Sequence, residues 1–145
     1  MRRPGAILSA DPQTWHYAKP LDPDALTAQY NRFVSLVEAS GAEIVWLPDD
    51  PSDGLADSVF TYDPSFVFAD GAVIMHPGKE LRVPEAELHR RFYESNDIPV
   101  IGEITSPGLI EGGDCYFLDA TTLAVGRGFR TNQEGIDQLR AIVEP

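Results

Sequence analysis

Gly108-Leu109-Ile110-Glu111-Gly112-Gly113-Asp114, followed by two short apolar runs and then Arg127-Gly128-Phe129-Arg130-Thr131-Asn132, is the stretch around which the chain is organised. Two adjacent glycines between carboxylates allow a sharp turn and let another backbone or a ligand come close. Glu111 and Asp114, one on each side of that turn, are placed to bind a cation or orient a base. Arg130, just before an expected helix start, can answer an anionic group. Taken alone, Glu-Gly-Gly-Asp also fits an ordinary solvated turn.

Working outward, 145 residues suffice for one ordinary domain with its own core. The apolar and charged fractions, 43% and 23%, are those of a soluble globular chain. A net charge of −12 argues against a nucleic-acid partner, since phosphate binding needs clustered Lys and Arg, and mildly favours a cationic small molecule. A single cysteine excludes an internal disulfide framework and fits a reducing, cytoplasmic setting. Met1-Arg2-Arg3 leads straight into Pro4-Gly5, with no apolar signal core and no membrane-length apolar run, so neither secretion nor a membrane span is expected.

The order of elements reads as α/β. Ala6-Ile7-Leu8 is an expected first strand. Asp22-Pro23 suits an N-cap with proline at the first helical position, and Leu26, Tyr30, Phe33, Val34 and Val37 share one helical face up to a Gly41 cap. Ala42–Leu47 is expected to be a buried strand, followed by a polar loop and the runs Val59–Thr61, Phe66–Phe68 and Ala72–Met75. Asp70-Gly71 marks a hairpin. A second helix begins near Pro84 with Leu88 and Phe92 one turn apart, closes at Asn96-Asp97, and leads to the strand Ile98–Ile101. Cys115–Leu118 and Thr122–Val125 form another hairpin. Thr131-x-x-Glu134 reads as a capping box for a third helix carrying Ile136, Leu139, Ile142 and Val143.

Paired strands, a helix and a closing strand thus recur as repeated ββαβ units, and the last copy is expected to lack its closing strand. Such arrays bury their faces against neighbouring copies. The chain therefore reads as residues 1–145 of a larger β/α array; the other reading is a complete α/β sandwich ending on a helix.

Asp57 and Asp63 lie six positions apart, at the two ends of a strand-like run, which would put both carboxylates on one side to grip a planar cation. The same residues also fit a loop acid and a turn former before Pro64. Arg82 precedes a helix, where it can pair with nearby Glu or, with Arg130, fork a carboxylate. Cys115 has no His in its hairpin and reads as a structural thiol rather than a nucleophile. His16, His76 and His89 lack ligand spacing, so no metal site is expected. No Gly-rich phosphate loop is present.

Together these segments resemble the guanidino-group modifying (pentein) superfamily of dimethylarginine dimethylaminohydrolases, arginine deiminases and amidinotransferases. Phe60-Thr61-Tyr62-Asp63-Pro64-Ser65 is similar to the F-T-R-D-P-S segment of arginine deiminases, with Tyr62 in place of Arg. Asp57-Ser58 before it is closer to the dimethylarginine hydrolases. Arg82 fits the arginine that binds the substrate carboxylate. Glu111-Gly112-Gly113-Asp114 matches E-G-G-D, and Arg130-Thr131-Asn132 with Glu134-Gly135 resembles R-T-N-x-E-G.

The resemblance implies a five-bladed β/α propeller, here incomplete. It implies that Asp63 holds the substrate guanidinium, that Glu111 orients a catalytic histidine, and that Asp57, Arg82 and Arg130 bind the amino-acid end of an arginine-like substrate. In that superfamily a cysteine thiolate attacks the guanidinium carbon, without metal or organic cofactor. Its catalytic His and nucleophilic Cys lie beyond the third helix, so the chain resembles only the N-terminal half. The expectation is a hydrolase part inactive alone, completed by a C-terminal partner chain or forming a homo-oligomer. The alternative is a non-catalytic module that binds an arginine-like ligand or another protein.

Overall fold

The computed structural model describes residues 1–144. The chain divides into two units, Met1–Phe60 and Thr61–Pro145.

Among its described residues the first unit forms no strand where strands were expected. A 3-10 turn, Ala6–Ser9, replaces the first strand, and a short helix α1 spans Pro12–Trp15. Helix α2, Pro23–Ala39, begins as its sequence dictates. Pro23 sits at the first position and the Asp22 carboxylate accepts from the Asp24 and Ala25 N–H groups. Leu26, Tyr30, Val34 and Val37 are half-buried along one stripe, whereas Phe33 stays exposed. Ala42–Leu47 is not a strand; among the described residues its backbone bonds to Met1 rather than to a neighbouring strand. The Met1 amino group donates to Val45 O (2.7 Å) and Leu47 N–H donates to Met1 O (2.8 Å). Val59 closes a 3-10 turn, Ala56–Val59, so the Asp57–Asp63 run is no strand either. The alternation that was to place both carboxylates on one side is therefore absent. Ile7, Trp15 and Ala56 form the small core of this unit. Arg2, buried, donates from Nε to Pro48 O at 2.9 Å and pairs with Ser58 and Asp53.

The second unit contains the sheets. Strands β1 (Ser65–Phe68) and β2 (Gly71–Ile74) form an antiparallel hairpin. Helix α3 (Val83–Ser95) crosses over, and β3 (Val100–Glu103) returns parallel to β2. Lying between two strands, β2 is buried along its whole length, which is why its sequence runs apolar without alternation. A second hairpin, β4 (Cys115–Phe117) and β5 (Leu123–Val125), leads into α4 (Gln133–Val143). Phe66, Val73, Met75, Ile104, Ile110, Cys115 and Leu139 make one core between these elements. The ββαβ unit is thus complete once, and a second copy runs ββα.

Two details depart from the sequence reading. The fully buried face of α3 carries Glu85 and His89, while Leu88 and Phe92 are only half-buried. Polar partners explain this: Glu85 takes the Arg82 guanidinium, and His89 Nδ1 lies 2.8 Å from Ser65 Oγ. The N-cap of α4 is Asn132, not Thr131. Its Oδ1 accepts from Gly135 N–H (2.8 Å) and Leu109 N–H (3.0 Å). Thr131 is drawn inward instead, donating to Asp114 Oδ2 at 2.5 Å. Asn132→Ala should lower stability by about 1–2 kcal/mol in urea unfolding, the usual range for a lost cap. Glu134→Ala should change it by less than about 0.5 kcal/mol, whereas a true capping box would give both a comparable cost.

Candidate active site

The Glu111–Asp114 turn and the segment Tyr62–Ser65 meet so closely that neither position 112 nor 113 has room for a side chain. A Cβ on Gly112 would stand 2.1 Å from Tyr62 O, and one on Gly113 would stand 2.3 Å from Asp63 Oδ1. In exchange, both glycine amides point at Asp63. Gly112 N–H donates to Asp63 O (2.9 Å) and Gly113 N–H donates to Asp63 Oδ1 (3.1 Å). The turn thereby fixes where the Asp63 carboxylate stands.

Arg82 closes the other side of Asp63. Its Nη1 donates to Asp63 Oδ2. Its Nε reaches both carboxylate oxygens of Glu85 at 3.1 Å, and its Nη2 reaches Oε2 at 2.8 Å. The side chain is only 2% exposed. Burial alone would favour losing the proton, but the hydrogen bonds and charges of Glu85 and Asp63 outweigh it, so the guanidinium is held charged more firmly than usual.

Glu111 is fully buried. Its Oε1 accepts from Gly78 N–H at 3.2 Å, and the half-exposed Arg130 brings Nη1 to 2.8 Å from Oε2, out of hydrogen-bond alignment. Burial pushes this carboxyl above the ordinary glutamate range; Arg130 opposes that, Asp63 adds to it and Arg82 opposes it. Below, the Glu111 N–H donates to Thr131 Oγ1 at 3.3 Å, and Thr131 in turn bonds Asp114. Asp63, Arg82, Glu111 and Arg130 are therefore one electrostatic cluster on four separate segments. Asp57 belongs to the first unit, where it is buried and accepts from Tyr17 OH at 2.6 Å.

Glu85 and the Gly78 amide were not singled out in the sequence, and Thr131 was read there as a helix cap and motif member without a place in the site. Only Glu85 had a signal there, its i,i+3 spacing from Arg82. Ser65, which ends the Asp63-Pro64-Ser65 motif, bonds inward to His89 and to Tyr93 OH (2.8 Å), tying the motif to α3. Cys115 is buried, with its thiol pushed up to about 11 by burial and then by Asp114. It is a neutral packing group at neutral pH. Among the described residues, no group of three or more His, Cys, Asp or Glu side chains is arranged to hold a metal ion.

Residues 51–144 match the family model described as arginine deiminase. The chain belongs to that family. Within the arginine deiminase family it is similar to the N(G),N(G)-dimethylarginine dimethylaminohydrolase of Streptomyces coelicolor, 35% identical over 149 residues, covering 100% of this chain and 55% of that protein. The corresponding Pseudomonas aeruginosa protein is 33% identical over 133 residues, covering 89% and 49%. The solved structure of a Pseudomonas aeruginosa dimethylarginine dimethylaminohydrolase mutant complexed with citrulline superposes with a TM-score of 0.82 at 28% identity, covering 99% of this chain and 55% of that one. The chain spans about half the length of the curated relatives it matches, and corresponds to their N-terminal half. No helix among the described residues is long and apolar enough to cross a membrane.

Two measurements check the electrostatics. A group whose pKa rises on folding favours the folded state at low pH and loses that contribution as pH climbs through the raised value. Carbon NMR of the Glu111 carboxyl should therefore show a midpoint above the ordinary glutamate range, and Arg130→Ala should move it higher still. Cys115 should resist iodoacetamide at pH 8 in the native protein and react when urea unfolds it, with protection following the unfolding curve.

Proposed function

We propose that this chain is the substrate-gripping part of a hydrolase acting on the guanidino carbon–nitrogen bond of arginine or a methylarginine. The observation that carries this is the cluster itself: two carboxylates, Asp63 and Glu111, each already engaged by a guanidinium, Arg82 and Arg130 respectively. Ion pairs of this kind, hydrogen-bonded at Asp63 and electrostatic at Glu111, match the flat cation of an arginine side chain. The protein's own guanidinium groups stand where a ligand's would. In the proposed complex the ligand's guanidinium takes Asp63 and Glu111, while Arg82 and Arg130 turn to its carboxylate. Arg82 is fitted to that exchange, because Glu85 keeps its charge partnered while Nη1 leaves Asp63.

The bond-breaking step would follow the superfamily pattern. A cysteine thiolate adds to the guanidinium carbon and an amine or ammonia departs, leaving a thiouronium that histidine-activated water hydrolyses. Glu111, orienting that histidine, is suited to the task by its burial and by Arg130 at its side. Cys115, buried and with its thiol raised to about 11, is not the nucleophile. We therefore place the nucleophile and the histidine in a second half of the fold, a five-bladed propeller of which this chain supplies the first part. The inertness of Cys115 also favours a second reading, a module that captures arginine-like ligands without chemistry.

Calorimetry with arginine and dimethylarginine, paired with a citrulline assay, tests both. The 145-residue chain should bind and should release no citrulline. Asp63→Asn should weaken binding about tenfold to a hundredfold, as expected for a hydrogen bond to a charged group. Citrulline release by the chain alone, or binding indifferent to Asp63→Asn, would overturn the assignment.

A further inference from the structure

The turn that fixes Asp63 needs stiffness from outside itself. Gly112 and Gly113 permit the close approach to Asp63, but glycine is the residue with the most backbone freedom and holds nothing in place. The two carboxylates also repel each other, since the Asp63 charge helps to push Glu111 above the ordinary glutamate range. Left loose, such a turn would let them part. The bonds of the turn show what prevents it. Gly112 and Gly113 give their amides to Asp63, and Asp114 N–H donates back to Glu111 O at 2.9 Å. Glu111 N–H donates to Thr131 Oγ1, and the same hydroxyl donates to Asp114 Oδ2. One hydroxyl thus spans the turn from its first residue to its last, using its single donor and an acceptor position.

Thr131 is itself well anchored. It is fully buried, and the next residue, Asn132, caps α4. Asn132 also bonds the segment leading to Glu111 three times: its Oδ1 accepts from Leu109 N–H, its N–H donates to Leu109 O at 2.9 Å, and its Nδ2 donates to Pro107 O at 2.8 Å. A Cβ at Gly135 would stand 2.2 Å from Leu109 O, so the first turn of α4 lies directly on that segment. On the other side of Thr131, Arg130 passes so close to Gly78 that a Cβ there would stand 2.9 Å from its Cα. The start of α4 is therefore a fixed base, and Thr131 is where that base reaches the turn.

We propose that Thr131 is a positioning residue of the candidate site: by bonding both ends of the Glu111–Asp114 turn, its hydroxyl holds the Asp63 and Glu111 carboxylates in register for one guanidinium. What is gripped rests on the guanidine-hydrolase reading; the clamp itself does not. A side chain that merely filled the interior here would serve as well without its hydroxyl. A clamp would not, because a buried Glu111 N–H without an acceptor and an Asp114 carboxylate without its donor both favour another arrangement of the turn. The effect passes to Asp63 through the two glycine amides and to Glu111 through its own backbone.

Thr131→Val keeps the shape of the side chain and removes its hydroxyl, whereas Thr131→Ser keeps the hydroxyl. In the 145-residue chain, amide hydrogen exchange at Gly112 and Gly113 should quicken about tenfold or more in Thr131→Val and less than about threefold in Thr131→Ser, with Gly135 unchanged in both. The Glu111 carboxyl midpoint, followed by carbon NMR, should fall toward the ordinary glutamate range in Thr131→Val alone. Arginine binding by calorimetry should weaken about tenfold in Thr131→Val and be restored in Thr131→Ser. Should Thr131→Val fail to fold, Asp114→Ala cuts the clamp from its half-buried end and should quicken the same two amides. Where both fold, the double variant should be no worse than Thr131→Val, because the two changes remove one shared bond. Glycine exchange and a Glu111 midpoint indifferent to the loss of the hydroxyl, unaltered arginine affinity in Thr131→Val, or a Thr131→Ser as impaired as Thr131→Val would overturn the proposal. Exchange and midpoint that move as expected in a chain whose unmutated form binds no arginine would support the clamp and count against the guanidinium site alone.

Discussion

Arg82 is the side chain on which the second unit's geometry turns. A guanidinium this deeply buried is tolerable only because carboxylates on two sides answer it, Asp63 from the segment before β1 and Glu85 from the first turn of α3. It therefore ties the start of the sheet to the start of the crossover helix. Losing either acid would leave a poorly compensated charge in the interior, which costs far more than a surface ion pair is worth. The glycine turn completes the frame from the opposite side, with two amides on Asp63 and no side chain to hold them off.

This frame explains why the acids stand where they do without any one element being long. The strands here are three or four residues each, and none of them carries a site residue in its interior. Asp63, Glu111 and Arg130 all lie just outside strands or helices. Their positions are set by backbone contacts between loops: Gly112 on Asp63, Ile110 on His76, Asn132 on Leu109. A core of only a few apolar residues then suffices, because polar bonds that cross between loops share the work of fixing the chain.

How much of this was legible in the sequence follows from the same division. Helix α2 was readable because Asp22-Pro23 and the apolar stripe are local signals, and the Phe66–Met75 hairpin because its turn and apolar run are adjacent. The strands expected at Ala6–Leu8 and Ala42–Leu47 were not formed, since a strand needs a partner and apolar content alone does not name one. Asp63 and Glu111 were visible as motif members, but their convergence was not, because it depends on contacts about 50 residues apart. Glu85 and Thr131 escaped for opposite reasons. Glu85 looks like a helix-surface acid until Arg82 is known to be buried, and Thr131 looks like a cap until Asp114 is seen to claim its hydroxyl.

The Asp63–Arg82–Glu85 chain of charges also bears on selectivity. In the proposed complex, a guest that displaces Arg82 from Asp63 would take one of the carboxylates that answer this buried cation, and a guest with an anion of its own would replace it. Arginine carries one; a simple guanidine or an agmatine-like amine does not. Were the proposed ligand to take Asp63, the resting ion pair would act as a gate favouring a zwitterion over a cation of the same head shape that carries no anion.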